Sequence, residues 1–309
     1  MKAATWFPVL QLLASGELIS GAALGATLGL TRAAIWQRVT YLRALGLPVH
    51  ADESGYRLEG GAYIPLASVL SAKTALPVHI EPELVSTNAQ TMAKAPTTQC
   101  VLAIYQSGGR GRRGRTWTGV PGRSLMLSLG RTLALPAMRL SGLSIAVGVA
   151  LCEFLRGLGA DAQLKWPNDV WVDQRKLAGL LMELQGGVHD TVYVVLGLGL
   201  NIKPVSVPGV GTASIEEVLG RAWGDDDTAG LLRALDQSLQ EFSEREPETL
   251  VEAFHRVSAL TGRSVVVNDG NHTRVGVMAG IDRDGAMLLM TDSGLVTLMA
   301  GDVSVRAIG

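Results

Sequence analysis

Hydrophobic patterning in this 309-residue chain changes character around Gly60, Gly61 and Pro65, and that change limits what each side can become. Before it, Ile35, Val39 and Leu42 recur at i, i+4 and i+7, which turns one helical stripe inward and leaves Arg32, Trp36, Gln37 and Tyr41 elsewhere around the helix. After it come short apolar runs bounded by glycine, as in buried strands. The first sixty residues predict helices over 6–15, 20–28 and 31–45, with Ser20 and Thr31 as N-caps and Gly29 separating the last two. A hairpin over 49–58, turning near Ser54 and Gly55, completes the pattern of a winged helix-turn-helix. Thr31, Arg32, Trp36 and Gln37 are the residues expected to face DNA. Five basic residues there stand against Glu17, Asp52, Glu53 and Glu59, few for phosphate affinity, so a small helical bundle with no nucleic acid partner is the alternative.

From Pro65 onward, strands are expected near 77–80, 101–106, 125–129, 170–173, 176–184 and 192–198. Helices are expected over 141–158, 214–223, 228–244 and 247–260, an α+β mixture with a large sheet. From Gly262, four β-rich runs divided by Asn268-Asp269-Gly270, Asp284-Gly285 and Ser293-Gly294 suit a small closed barrel. The expected domains are therefore 1–60, 65–260 and 262–309.

Composition removes several function classes. Lys plus Arg number 27 against 28 Asp plus Glu, so no whole-molecule field draws the chain to polyanions and any such site is local. The most apolar stretch, 143–155, is interrupted by Ser144 and Glu153 and is too short to cross a bilayer. Cys100 and Cys152 lie in apolar surroundings and no secretory segment is evident, so a reducing cytoplasm is expected. His50, His79, His189, His255 and His272 are scattered, which argues against structural zinc.

Charge is segregated despite this balance. Between Glu83 and Glu153 no acid occurs, while Lys94, Arg110, Arg112, Arg113, Arg115, Arg123, Arg131 and Arg139 give +8 over 69 residues. The density peaks in Gly108-Gly109-Arg110-Gly111-Arg112-Arg113-Gly114-Arg115, where glycines expose backbone N–H groups and guanidinium forks supply charge-assisted hydrogen bonds to carboxylate or phosphate. Gly109, Gly111 and Gly114 satisfy GxGxxG, but Thr116-Trp117 and Pro121-Gly122 follow in place of a helix, and no ribose-binding acid occurs before Glu153. A phosphate-binding P-loop is excluded because the chain contains no Gly-Lys dipeptide.

Lys165-Trp166-Pro167-Asn168-Asp169 forms a second cluster. Pro167 keeps Trp166 extended, so Lys165 is expected at the mouth of the sheet, where an ammonium can bridge two anions. In Gly197-Leu198-Gly199-Leu200-Asn201, alternate glycines suit close approach of a flat ligand, and Asn201 suits an adenine edge. Ser86-Thr87-Asn88 can cap a helix or bind a ligand.

In order and spacing, Ser86-Thr87-Asn88, Gly109 to Arg115 after Tyr105-Gln106, Lys165 to Asp169, Lys176 to Gly179 and Gly197 to Asn201 resemble the biotin protein ligases. The segment before them, with Leu24-Gly25 and Thr31-Arg32-Ala33-Ala34-Ile35, looks like the bifunctional class that also represses biotin genes. The resemblance spans nearly the whole chain. It implies a mixed-sheet ligase domain of the biotin/lipoate ligase type and a C-terminal SH3-like β-barrel. It also implies formation of biotinyl-5'-AMP from biotin and ATP with Mg2+, then transfer of biotin to a lysine of a biotin carboxyl carrier protein. On that resemblance, Lys165 and Arg112 are catalytic. Ser86, Thr87, Asn88, Gln106, Arg110, Gly111, Arg112, Trp117, Lys165, Gly197 and Gly199 would hold biotin, and Arg113, Arg115, Lys176 and Asn201 the nucleotide. Asp169 is the candidate for the metal or its water shell. Operator DNA and a ligand-linked homodimer are the further partners implied. Val85 stands where the family usually carries an acid, and 204–217 contains no aromatic residue. A lipoate-protein ligase and an adenylate-sensing repressor without transferase activity are the competing readings.

Overall fold

A computed structural model describes residues 5–135, 137–186, 191–244, 246–268, 272–299 and 304–307. The N-terminal unit is α1 (Phe7–Leu13), α2 (Gly21–Leu28), α3 (Arg32–Ala44) and a hairpin of β1 (Val49–Ala51) and β2 (Tyr56–Leu58). Ser20 and Thr31 cap α2 and α3 by accepting from the N–H of Ala23 and Ala34, and Gly29 ends α2 in the left-handed region. Ile35, Val39 and Leu42 are buried with Leu10, Leu13 and Leu24, as the stripe requires. At the hairpin turn, Asp52 accepts from the N–H of Ser54 and Gly55, and a side chain on Gly55 would strike the Ile19 carbonyl.

This unit shares its core with the next. Ile104 and Val120 belong to the same apolar cluster. Trp6 donates its indole N–H to Glu83 at 3.1 Å and meets Tyr105 edge-on.

The central part opens with α4 (Ala67–Thr74), which no pattern predicted. It is short, polar in part, and its N-cap Leu66 provides no side-chain cap. Next come β3 (Val78–Leu84), α5 (Thr87–Met92), β4 (Gln99–Gln106), β5 (Ser124–Leu133), α6 (Leu143–Gly157), β6 (Gln163–Lys165), β7 (Asp169–Val172), β8 (Arg175–Gln185), β9 (Val192–Asn201), α7 (Ile215–Leu219), α8 (Asp225–Glu241) and α9 (Pro247–Val257). The sheet order is β3-β4-β5-β9-β8-β7-β6, with β3 and β4 parallel and the other neighbours antiparallel. β9 is buried along its whole length, which explains its unbroken apolar sequence. Helices α6, α8 and α9 pack into the same core.

The C-terminal part corrects one expectation. In place of four runs there are five strands, β10 (Ser264–Asn268), β11 (Thr273–Ile281), β12 (Met287–Thr291), β13 (Gly294–Leu298) and β14 (Ser304–Ala307), ordered β13-β12-β11-β10-β14. β14 carries few apolar residues, and its strand character comes from pairing with β10. Asp269 and Gly270 of the first expected turn lie outside the described residues. Val265, Val267, Met278 and Leu289 join the central core, so the last two parts share one apolar interior.

Candidate active site

Strand periodicity and register place Met126 and Ser128 of β5, Gly197 and Gly199 of β9, and Gly179, Leu181 and Glu183 of β8 on one sheet face. Over that face opens a cleft of about 440 Å3.

One end of the cleft is polar and tightly bonded. Ser86 caps α5 by accepting from the Ala89 N–H, which settles its local role as a cap beside the cleft. The Thr87 N–H donates to Gln106 Oε1 at 2.7 Å, and Asn88 Nδ2 donates to Glu183 Oε2 at 2.6 Å. The buried Ser128 hydroxyl lies 2.5 Å from Asn88 Oδ1 and 2.7 Å from Thr87 Oγ1.

The Gly-Arg loop folds back as a compact turn above this end. Arg110 bridges to Thr116, Gly111 N–H donates to the Arg115 carbonyl at 2.7 Å, and Trp117 N–H donates to the Gly109 carbonyl at 3.0 Å. A Cβ on Gly109 would stand 2.5 Å from the Trp117 carbonyl oxygen, so glycine is required there. Arg110, Gly111, Arg112 and Arg115 line the cleft. Arg113, expected with them, is exposed at φ 59° and does not contribute to the lining. Arg112 donates to Asn168 Oδ1 at 3.4 Å, and Arg110 reaches Glu183 at 3.2 Å.

Cations gather at the opposite end. Lys165, closing β6, sits 4.3 Å above the Trp171 ring. Lys176 Nζ lies 2.6 Å from Asp169 Oδ1 and 5.4 Å from the Trp117 ring centre. The neighbouring Trp166 is a core residue that donates to the Gly285 carbonyl at 2.9 Å, fixing this turn to the C-terminal sheet. Lys176 also pairs through its backbone with Gly211 and Ala213, so 207–212 borders the cleft.

Two expectations need correction. Gly197 and Gly199 line the cleft, but ligand access is not their sole use: a Cβ at 197 would collide with Asn88 and one at 199 with the Trp117 indole. The glycines make room for the protein's own side chains. Asn201 lines the cleft, but its Nδ2 donates to the carbonyls of Lys176 and Ala213, so that donor is engaged by the backbone and not offered to a base edge. Asp169 is held by Lys176, and among the described residues no group of three or more metal-type side chains occurs.

Asn168, named within the Lys165–Asp169 cluster but given no role of its own, and Glu183, which the sequence did not single out, are further functional candidates. Asn168 donates to the Leu180 carbonyl at 2.7 Å while accepting from Arg112, a role visible only once β7 and β8 pair. Glu183 stands amid apolar residues of one strand, and nothing local marks it.

A mixed sheet carrying an Arg- and Lys-lined cleft, preceded by a winged helix-turn-helix and followed by a small antiparallel sheet, defines a class of ligase with an attached DNA-reading module. The description "Biotin/lipoate A/B protein ligase family" matches residues 84–201, "HTH domain" 6–57 and "Biotin protein ligase C terminal domain" 261–306. The chain is 33% identical to the bifunctional ligase/repressor BirA of Escherichia coli, over 97% of this chain and 96% of that one. It is 32% identical to the biotin--[acetyl-CoA-carboxylase] ligase of Mycobacterium tuberculosis, over 71% and 85%. The fold matches the biotin protein ligase of Aquifex aeolicus solved with biotin and ATP, with TM-score 0.65, 23% identity and coverage of 75% of this chain and 99% of that one. The chain belongs to the biotin protein ligase family, in the form that carries an N-terminal helix-turn-helix domain.

Proposed function

We propose that this chain joins biotin to AMP, passes the biotinyl group to a lysine of a biotin carboxyl carrier protein, and represses transcription when the adenylate is bound. The observation that carries the first part is the convergence of Arg110, Arg112, Arg115, Lys165 and Lys176 on one cleft whose far end is the polar Thr87, Asn88 and Gln106 cluster. A ureido ring offers both N–H and carbonyl groups to that polar end, and its valerate carboxylate then points to the cations. The carboxylate oxygen bonds to the α-phosphorus as the bond to pyrophosphate breaks. Both reactants are anionic, so the chain's work is to align them and cancel their repulsion. One ammonium at about 4 Å from an anion contributes about 4 kcal/mol at an effective dielectric near 20, before desolvation is subtracted. Lys165 and Arg112 take this role, with Lys176 and Arg115 on the nucleotide side. The acceptor lysine amine then attacks the acyl carbon and AMP leaves.

The donor set suits Mg2+ brought with the nucleotide: Asp169 is a single carboxylate, and a triphosphate with water supplies the remaining oxygens such an ion needs. Repression rests on α3, whose exposed Arg32, Trp36 and Gln37 follow the Thr31 cap. We place the activity in the cytoplasm and expect a homodimer linked to adenylate binding. Among the described residues no helix is long and apolar enough to cross a membrane.

Biotin, ATP and a carboxyl carrier fragment should give pyrophosphate and a labelled lysine. Lys165→Ala or Arg112→Ala should lower adenylate formation by at least a hundredfold; wild-type rates in both would overturn the site. Faster pyrophosphate release with lipoate than with biotin favours the lipoate ligase, and adenylate binding without acceptor labelling favours a sensor. Retardation of promoter DNA that needs both biotin and ATP tests the repressor half.

A further inference from the structure

We infer that Glu183 is a positioning residue that ties the ring-recognition end of the cleft to the Gly-Arg loop, an inference that rests on the biotin ligase reading. Its carboxylate touches both parts: Asn88 Nδ2 at 2.6 Å and the Arg110 guanidinium at 3.2 Å. Asn88 is buried, and its amide has a fixed orientation because Nδ2 faces two acceptors, Glu183 and the Leu181 carbonyl, while Oδ1 faces the Ser128 hydroxyl. Ser128 has one proton and Asn88 Oδ1 can only accept, so that proton goes to Asn88. Thr87, 2.7 Å from the same hydroxyl, then turns its own proton toward Ser128 or Gln106.

The carboxylate is thus the terminal acceptor of a chain running from Ser128 through Asn88, and it sets the direction of both donors in that chain. Inverting Asn88 would put its carbonyl against a carboxylate and its NH2 against the Ser128 hydroxyl proton. Glu183 also draws Arg110, and with it the start of the loop, down to the sheet. The Arg110 ion pair is half exposed and adds little by itself; its effect is to place the loop. A misplacement of about 1 Å at such a site can cost a hundredfold in rate or affinity.

The test measures pyrophosphate release at varied biotin and varied ATP. Glu183→Ala should raise the KM for biotin at least tenfold and by more than it raises the KM for ATP. Glu183→Gln keeps an oxygen that accepts from Asn88 and should recover biotin KM to within threefold of wild type. Glu183→Asp, which keeps the charge but withdraws it from Asn88, should behave like the alanine variant and serves if that one fails to fold. Unchanged biotin KM in the alanine and aspartate variants, or equal rises in both KM values, would overturn the assignment. Wild-type enzyme that releases no pyrophosphate with biotin would instead overturn the biotin ligase reading.

Discussion

Gly199 discriminates between two uses of a glycine in a binding cleft. If it serves ligand access, Gly199→Ala leaves the unliganded protein untouched and harms only binding. The structure points the other way, because the added methyl group would overlap the Trp117 indole, which would also crowd a Cβ on Gly179 at 3.2 Å. Neither wall yields readily: Gly199 is central in fully buried β9, paired with Met126 and Gly179. Overpacking of this kind costs about 1–3 kcal/mol. At about 2–4 °C per kcal/mol for a domain of 150–250 residues, unliganded Gly199→Ala should melt measurably below wild type. Removing the obstacle should remove the penalty, so Gly199→Ala/Trp117→Ala should be no less stable than Trp117→Ala to within about 0.5 kcal/mol. The assay is thermal and urea unfolding of the four proteins without ligand. Strict additivity, or an unperturbed Gly199→Ala, would refute the claim that this glycine exists for the tryptophan.

Asp236 accepts two hydrogen bonds from the largely buried Arg131 at 2.7 and 2.9 Å and a third from Gln240, so Asp236→Ala should cost about 3–5 kcal/mol in urea unfolding by leaving a guanidinium unpaired. Burial pushes the Cys152 thiol up to about 12 and the Cys100 thiol higher still, so neither should react with a disulfide reagent at pH 8 until the protein unfolds. Both folded values lie above the unfolded one, so this contribution to stability is complete below about pH 8.5 and should fade as pH rises toward 12, as unfolding at stepped pH will show. Arg32→Ala should weaken promoter retention and lower the salt dependence of binding by about one unit of slope, measured by retardation across a salt series.

What the sequence disclosed follows the range of the forces involved. The helix-turn-helix was legible because its determinants are local: two caps, a left-handed glycine and one apolar stripe, each within four residues of its partner. Both cation clusters were legible for the same reason, since a run of arginines between glycines and a lysine ahead of Trp166-Pro167 announce themselves. α4 was not legible because its eight residues lack a side-chain cap and owe their helicity to packing against α8 and β3. The glycines of β9 show the limit most clearly. Their spacing signalled that something approaches the strand closely, which is correct, but the identity of the visitor depended on which side chains α5 and the Gly-Arg loop bring over it.

The same logic explains why the polar end of the cleft is built from residues far apart in sequence. Thr87, Ser128, Asn88, Glu183 and Arg110 lie on α5, β5, β8 and the Gly-Arg loop, so their bonds form only after the antiparallel strands β5, β9 and β8 have registered correctly. A slip of one residue would turn Ser128 and Glu183 to the opposite face and break the chain at two points. Such a site cannot be half assembled: each hydroxyl or amide left without its partner in this buried setting costs about 1–3 kcal/mol. The long, exposed arginine side chains of the Gly-Arg loop can be aimed by the bound anions themselves. The donors and acceptors around Asn88 must be in place before a neutral ring arrives, which is why buried, cross-strand groups fix them.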